Sequence, residues 1–212
     1  MSTESDIKME FEKLFQRQDW ELFKVGANYY LRTAAFLKIS DIKLTDIEQN
    51  AVFCKDNRLL FRNIQKRLWI GIAGELLLKA HFLKSGYLIN KTTDRDLNRV
   101  AFHKIGSIQS EYLKLDDTFT FDQLISALPR LEKERLNDNN HTVPPEITEG
   151  LRIAKVFRNK EAHIITDTHD YNVKDYGKIE KCMKKIYNDW FNENLEFQIS
   201  FSKNETAEFE IK

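Results

Sequence analysis

The strongest helical pattern in this chain lies in residues 57–85, NRLLFRNIQKRLWIGIAGELLLKAHFLKS. Its apolar side chains form one stripe at helical spacing: Leu60, Ile64, Leu68, Ile72, Leu76, Phe82 and Leu83. Gly86 follows as a stop signal, so the pattern predicts a long central helix. Gly71 and Gly74 inside it each cost about 1 kcal/mol against alanine, which predicts that another helix approaches closely there.

Apolar spacing predicts further helices on both sides of this central one. Before it, residues 6–38 carry the pattern of one or two helices, and Asp19 is placed to cap the second. After it, residues 91–99 are polar and predict a loop. Residues 102–113 repeat apolar side chains at three- and four-residue steps, which predicts another helix.

The last third of the chain divides into two more helices and a tail. Thr120 is a candidate N-cap for a helix that ends before Pro129, and residues 137–145 form the clearest loop. Pro145 suits the first turn of the next helix. A final helix uses Ile179, Cys182, Met183, Ile186, Tyr187 and Trp190. The tail, residues 195–212, alternates apolar and polar side chains and predicts a β-hairpin.

Composition favours one mostly helical domain. The 212 residues are 42% hydrophobic, enough for a sizeable core, and the low counts of Gly (7) and Pro (3) disfavour an all-β fold with many tight turns. Lys and Arg (33) balance Asp and Glu (33), so the whole molecule offers nucleic acid no net attraction. Any contact with RNA must therefore be local.

The remaining global features point to a cytoplasmic chain. Cys54 and Cys182 lie far apart without metal-ligand or redox spacing, which favours two reduced structural thiols. Residues 1–6 lack the basic and apolar regions of a signal peptide. The longest apolar stretch, 68–83, is interrupted by charged side chains, so no membrane span is expected.

A second informative stretch ends the helix that begins at Pro145: Phe157-Arg158-Asn159-Lys160-Glu161-Ala162-His163. Residues five apart on an ideal helix are separated by about 140°, so Arg158 and His163 do not share a face. If they act together, the helix changes pitch or begins here, a group as large as a phosphate lies between them, or a second chain completes the site.

The side chains of this stretch suit a phosphodiester. A guanidinium group binds phosphate through two parallel hydrogen bonds, and imidazole transfers protons near neutral pH. Asn159 adds a neutral donor and acceptor beside Arg158. This set requires no metal.

Three segments together resemble the HEPN superfamily of small helical domains. They are residues 151–157 leading into Arg158 and Asn159, residues 71–80 (GIAGELLLKA) and residues 82–87 (FLKSGY). In that superfamily a helix similar to residues 71–80 packs against the helix that carries an Arg-x4–6-His motif. The resemblance covers about residues 58–190. It implies an all-α antiparallel helical bundle, here residues 1–194 with extra N-terminal helices and with the hairpin 195–212 appended.

The resemblance also implies that the chain is an endoribonuclease that needs neither a metal nor a cofactor. Its composite active site would form where two copies of the chain meet. The implied biological role is that of a toxin or antiviral effector with an antitoxin or defence-system partner. Arg158, Asn159 and His163 match the motif, and the implied products carry 2′,3′-cyclic phosphate and 5′-hydroxyl ends. Ile165 stands where many toxins of the group have a tyrosine, so control through that tyrosine is not implied.

Further residues are candidates for supporting roles. Lys174, Lys178 and Lys181 lie along the final helix and are predicted to contact the RNA backbone, against the alternative of a solvated face. Glu75 lies on the apolar central helix, where it either pairs with a lysine or backbone group or orients Arg158. His169 has two nearby aspartates, a pattern more typical of a solvated loop than of a metal site.

Two other functions remain open at this point. A non-catalytic HEPN-like module would bind a partner protein or a nucleotide and use Arg158 and His163 only for contacts. A plain helical interaction domain would carry the motif by chance.

Overall fold

The computed structural model describes residues 3, 5, 19–37, 56–94, 102–163, 173–196, 198 and 199, without the side chains at 56–63, 110, 115, 116, 160–163, 173 and 174. These residues are mostly helical, which confirms the predicted all-α class. The more specific prediction of a HEPN-like bundle stays a prediction. The elements are α1 (Trp20–Ala35), α2 (Asp56–Lys84), β1 (Asn90–Thr92), β2 (Leu113–Thr118), α3 (Phe121–Leu136), α4 (Pro145–His163) and α5 (Val173–Phe191). No described helix combines the length and apolarity needed to cross a bilayer.

The chain divides into two compact units. The first comprises Met1–Asn28 and Gly74–Pro144, and the second comprises Tyr29–Ala73 and Pro145–Lys212. Both α1 and α2 therefore contribute residues to each unit. The core of the first unit includes Leu77, Leu78, Phe82, Phe121, Leu124 and Leu128. The core of the second includes Leu31, Ile70, Leu151, Phe157, Ile179 and Ile186.

Helix α2 is the predicted central helix, and its observed bounds differ from the predicted ones by one residue at each end. Gly86 ends it with φ +84°, a left-handed conformation that a residue with a Cβ adopts only at a cost. The Gly86 N–H donates to the Leu83 carbonyl (2.9 Å) and the Tyr87 N–H to the Phe82 carbonyl (3.0 Å). This Schellman motif satisfies carbonyls that the helix end would otherwise leave unpaired.

Helix α1 begins where its cap was predicted. The Asp19 carboxylate accepts a hydrogen bond from the Glu21 N–H (3.0 Å), so the first turn has one of its free donors satisfied. Ala27, Leu31 and Ala34 are fully buried along one face of the helix. The helix predicted within residues 6–18 lies outside the described residues.

The helix predicted at residues 102–113 was wrong, since no α-helix forms there and Leu113 begins β2. Of the loop predicted at 91–99, residues 91 and 92 belong to β1, and residues 95–99 lie outside the described residues. Strands β1 and β2 form an antiparallel two-stranded sheet in which Asn90 pairs with Thr118 and Thr92 with Leu113. Gly106, at φ +81°, lies in the middle of the predicted helix and breaks it. The apolar spacing was misleading because two of its residues, Ile105 and Tyr112, are exposed.

Helix α3 has the predicted cap but extends beyond the predicted end. Thr120 Oγ1 accepts from the Gln123 N–H (3.3 Å), and Gln123 Oε1 accepts from the Thr120 N–H (2.9 Å), which completes a capping box. The helix continues through Pro129 to Leu136. Proline removes one backbone hydrogen bond there, and burial of Leu131 beyond it favours continuation of the helix.

Helices α4 and α5 run antiparallel in contact with each other, and both follow the predicted pattern. Gly150 is the point of closest approach, since a Cβ built on it would lie 2.1 Å from Cys182 Cβ and 2.6 Å from Cys182 Sγ. The Cys182 thiol donates to the Ile147 carbonyl (3.4 Å) and is fully buried, so burial raises its pKa. This thiol is structural, as expected.

Glu180 connects the tail to α5. Its carboxylate accepts the Ile199 N–H (3.0 Å), and Ile199 is itself fully buried. Most of the predicted hairpin, at 197 and 200–212, lies outside the described residues, and the hairpin stays a prediction.

A matched pair of glycine substitutions tests this description of the helix ends. Gly86→Ala is expected to lower the free energy of unfolding by about 1 kcal/mol, because alanine resists the left-handed conformation. Gly177→Ala, within α5 with open space around it, is expected to raise that free energy by about 0.5–1 kcal/mol. Urea denaturation measures both changes. Equal effects of the two substitutions would contradict the assignment of Gly86 as a cap.

Candidate functional site

Helix α4 is continuous through the motif, with His163 as its last residue. The alternative that a helix begins at the motif is therefore wrong. Because α4 is α-helical from Arg158 to His163, these two positions are separated by about 140° around the axis and about 7.5 Å along it. One copy of the helix presents them on different sides.

Arg158 is held against α2 at Gly71. A Cβ built on Gly71 would lie 2.6 Å from both the backbone nitrogen and the Cβ of Arg158, and 2.7 Å from the Ala154 carbonyl oxygen. Real Cβ atoms do not approach so closely, so only glycine fits this position. The close helix approach that was predicted at Gly71 is confirmed, and the partner helix is the one that carries the motif.

The buried face of α4 packs against α5. Ala154 and Phe157 are fully buried, and the Phe157 ring lies 5.5 Å from the Tyr176 ring of α5. Asn159 is exposed and Arg158 is partly exposed. The first two motif residues therefore follow a buried segment of α4, and solvent reaches the side chains of both.

Lys66 is a buried cation that sequence analysis missed. Its side chain is fully buried, Nζ donates to the Leu37 carbonyl (2.7 Å) and lies 5.7 Å from the centre of the Tyr176 ring. Burial lowers the pKa of Lys66 from 10.5 to about 7, while the negative charge of Glu180 opposes part of that shift. Nothing in the spacing of the sequence distinguishes Lys66 from the other basic residues near it, because its partners are distant in the chain.

The lysines predicted to contact RNA lie on α5 in varied surroundings. Lys178 pairs with Glu149 of α4 (2.6 Å), so a phosphate would compete with this carboxylate. Lys181 is exposed, and Lys174 lies in the first turn, with its side chain outside the described set. Further along, Lys184 pairs with Glu180 (2.7 Å) and Lys185 with Asp189 (3.0 Å). An RNA contact through this helix stays a prediction.

Glu75 has a partner on its own helix. Its carboxylate lies 2.9 Å from Lys79 Nζ, and Lys79 also donates to Thr118 Oγ1 (2.9 Å). Sequence analysis gave pairing with a lysine or a backbone group as one of two roles for Glu75, and this contact is such a pairing. A role for Glu75 in orienting Arg158 stays a prediction.

A second group of buried titratable side chains lies in the first unit. His81 Nε2 is 2.5 Å from Glu132 Oε1, and Arg135 donates to Glu132 Oε2 (2.8 Å). Burial alone raises the pKa of Glu132, but hydrogen bonds from His81 and Arg135 outweigh it and lower that pKa to about 2. Burial also lowers the pKa of His81. The ion pair of this group is therefore that of Glu132 with Arg135, and His81 is a buried hydrogen-bond partner of Glu132.

Metal ligation has no candidate among the residues whose positions are described, since no three His, Cys, Asp or Glu side chains there are placed to hold an ion. His169, with Asp167 and Asp170, lies outside them.

Comparisons of the chain with protein-family models, with curated proteins and with solved structures found no match.

The buried position of Lys66 predicts a specific pH dependence of stability. Below about pH 7 both the folded and unfolded chains carry the proton, so the cost of burying the charge is present in full. Above that pH the folded chain loses the proton while the unfolded chain keeps it until near 10.5, so the free energy of unfolding rises. Between pH 7 and 9, urea denaturation should give a smaller rise for Lys66→Met than for the wild type.

Lys181→Met is the control for that measurement, because it removes an exposed lysine from α5. Its stability profile should match that of the wild type. A Lys66→Met profile that is parallel to the wild-type profile would show that Lys66 does not titrate in this range.

Proposed function

We propose that this chain is a metal-independent endoribonuclease whose active site is completed by two copies of helix α4. The continuity of α4 through Arg158 and His163 supports this proposal most directly. Two groups about 140° apart on one helix do not converge on one scissile phosphate from the same face. Two copies that meet near the end of α4 supply an arginine and a histidine to each side of a shared cleft.

In the proposed reaction Arg158 binds the scissile phosphate. Its planar guanidinium neutralises the charge that develops on the equatorial oxygens, and two parallel hydrogen bonds fix the orientation of the phosphate. The exposed amide of Asn159, adjacent in sequence, can donate to a phosphate oxygen or accept from a ribose hydroxyl. Both contacts hold the substrate without a metal.

Proton transfer is the proposed role of His163. One imidazole accepts the proton of the 2′-hydroxyl as its oxygen attacks phosphorus, and the imidazole of the partner copy donates a proton to the departing 5′-oxygen. The P–O5′ bond breaks as the P–O2′ bond forms. The products are a 2′,3′-cyclic phosphate and a 5′-hydroxyl, with no water consumed. Because the two steps need opposite protonation states, one histidine from each copy is the simplest arrangement.

RNA is the proposed substrate, and the contacts that hold it are local. The chain has no net charge, so binding depends on Arg158 together with cations such as Lys181 and Lys174 rather than on overall attraction. The proposed biological setting, a toxin or antiviral effector restrained by a partner protein, follows from the resemblance of the motif segments to the HEPN superfamily.

Replacement of the motif residues tests this function. His163→Ala is expected to abolish RNA cleavage, or to lower its rate by at least about 10²-fold, because it removes both proton-transfer groups of the paired site. Arg158→Ala should also lower the rate strongly. Cleavage of total RNA in the presence of a chelator measures the rates, and circular dichroism verifies that each variant is folded.

Two variants serve as controls. His141→Ala removes a histidine from the polar loop before α4, and Arg152→Ala removes an exposed cation from α4 itself, so both should cleave RNA at the wild-type rate. Unchanged cleavage by folded His163→Ala would refute the proposed mechanism. No cleavage by the wild type would favour a module that binds a partner protein or a nucleotide.

A further inference from the structure

We propose that Gly71 is a positioning residue for the Arg158 guanidinium: its missing side chain sets the depth at which the motif helix lies on α2. This inference rests on the proposed function, because it assigns Arg158 to the scissile phosphate. It adds a residue on α2, remote in sequence from the motif, to the requirements of the site.

The contact that supports the inference is between backbones. A Cβ at Gly71 would come within 2.6 Å of the Arg158 nitrogen and 2.7 Å of the Ala154 carbonyl oxygen, so rotation of a flexible side chain cannot relieve it. One of the two helices has to move. Because the contact includes the Cβ of Arg158, the movement acts directly on the base of the side chain that is proposed to bind phosphate.

The remaining contacts of α4 restrict how it can respond. Phe157 is fully buried against Tyr176, and Gly150 lies against Cys182 near the other end of the helix. With α4 held on the α5 side, a bulkier residue at position 71 displaces the Arg158 end of the helix rather than the whole element. Displacement of a catalytic group by about 1 Å costs about 10²-fold in rate.

Gly150 provides a matched control within the same helix. Its added Cβ would lie 2.1 Å from Cys182 Cβ, so Gly150→Ala imposes a contact at least as severe as Gly71→Ala does. This contact lies two turns before Arg158, on the side of α5. If the effect of Gly71→Ala came only from loss of stability, the two substitutions would lower cleavage alike.

The test compares kcat/KM for RNA cleavage by the wild type, Gly71→Ala and Gly150→Ala below their unfolding temperatures. Gly71→Ala is expected to lose at least about 10-fold in kcat/KM, and Gly150→Ala less than about 3-fold, at equal folded fractions. In an Arg158→Ala background, Gly71→Ala should cause a much smaller further loss, because the group that it displaces is already absent. Equal losses in both backgrounds would overturn the inference.

A change of solvent keeps the test decisive if Gly71→Ala does not fold in buffer. The comparison is then repeated in trimethylamine N-oxide, an osmolyte that favours the folded state. A refolded Gly71→Ala variant that loses no more kcat/KM than Gly150→Ala under the same conditions would overturn the inference. Absence of cleavage by the wild type would instead overturn the proposed function, and this inference with it.

Discussion

The close contact of α4 with α2 at Gly71 is the constraint on which the candidate site depends, and a second glycine contact holds α4 against α5. Gly71 lets α2 reach the backbone at Arg158, and Gly150 lets α5 reach the start of α4. At each point the neighbouring atoms occupy the space that a Cβ would need. The helix is therefore located by steric exclusion at two points along its length, and burial of Phe157 between them supplies apolar stabilisation.

Buried charged side chains in the described part of each unit have polar or oppositely charged neighbours. Lys66 lies between the Leu37 carbonyl and the Tyr176 ring, with Glu180 as the nearby negative charge. Glu180 in turn accepts the Ile199 N–H and pairs with Lys184. In the first unit, Glu132 is paired with His81 and Arg135 in the same manner. Such groups stabilise one arrangement of their elements, because removal of a single partner leaves the other charge buried without compensation.

Features set by neighbouring residues were predictable from sequence, and features set by distant residues were not. The ends of α2, the cap at Thr120 and the start of α4 at Pro145 depend on contacts within a few residues. The β1–β2 sheet joins segments more than twenty residues apart, and the connection between them carries a spacing, at 102–113, that also fits a helix. Within the site, the need for close packing at Gly71 was predictable from the residues themselves, whereas the identity of the partner helix was expected only from the resemblance to the HEPN superfamily. The burial of Lys66 depends on a carbonyl 29 residues away, so it left no pattern in the sequence.

Analysis of the ends of RNA products formed by the wild-type chain in a chelator is the most direct test of the central claim. The account predicts 2′,3′-cyclic phosphate and 5′-hydroxyl ends. It also predicts no cleavage at a position where the 2′-hydroxyl has been replaced by hydrogen, since that oxygen is the nucleophile. Products with 5′-phosphate ends, or cleavage that continues at the 2′-deoxy position, would contradict a mechanism in which Arg158 and His163 act on the RNA without a metal.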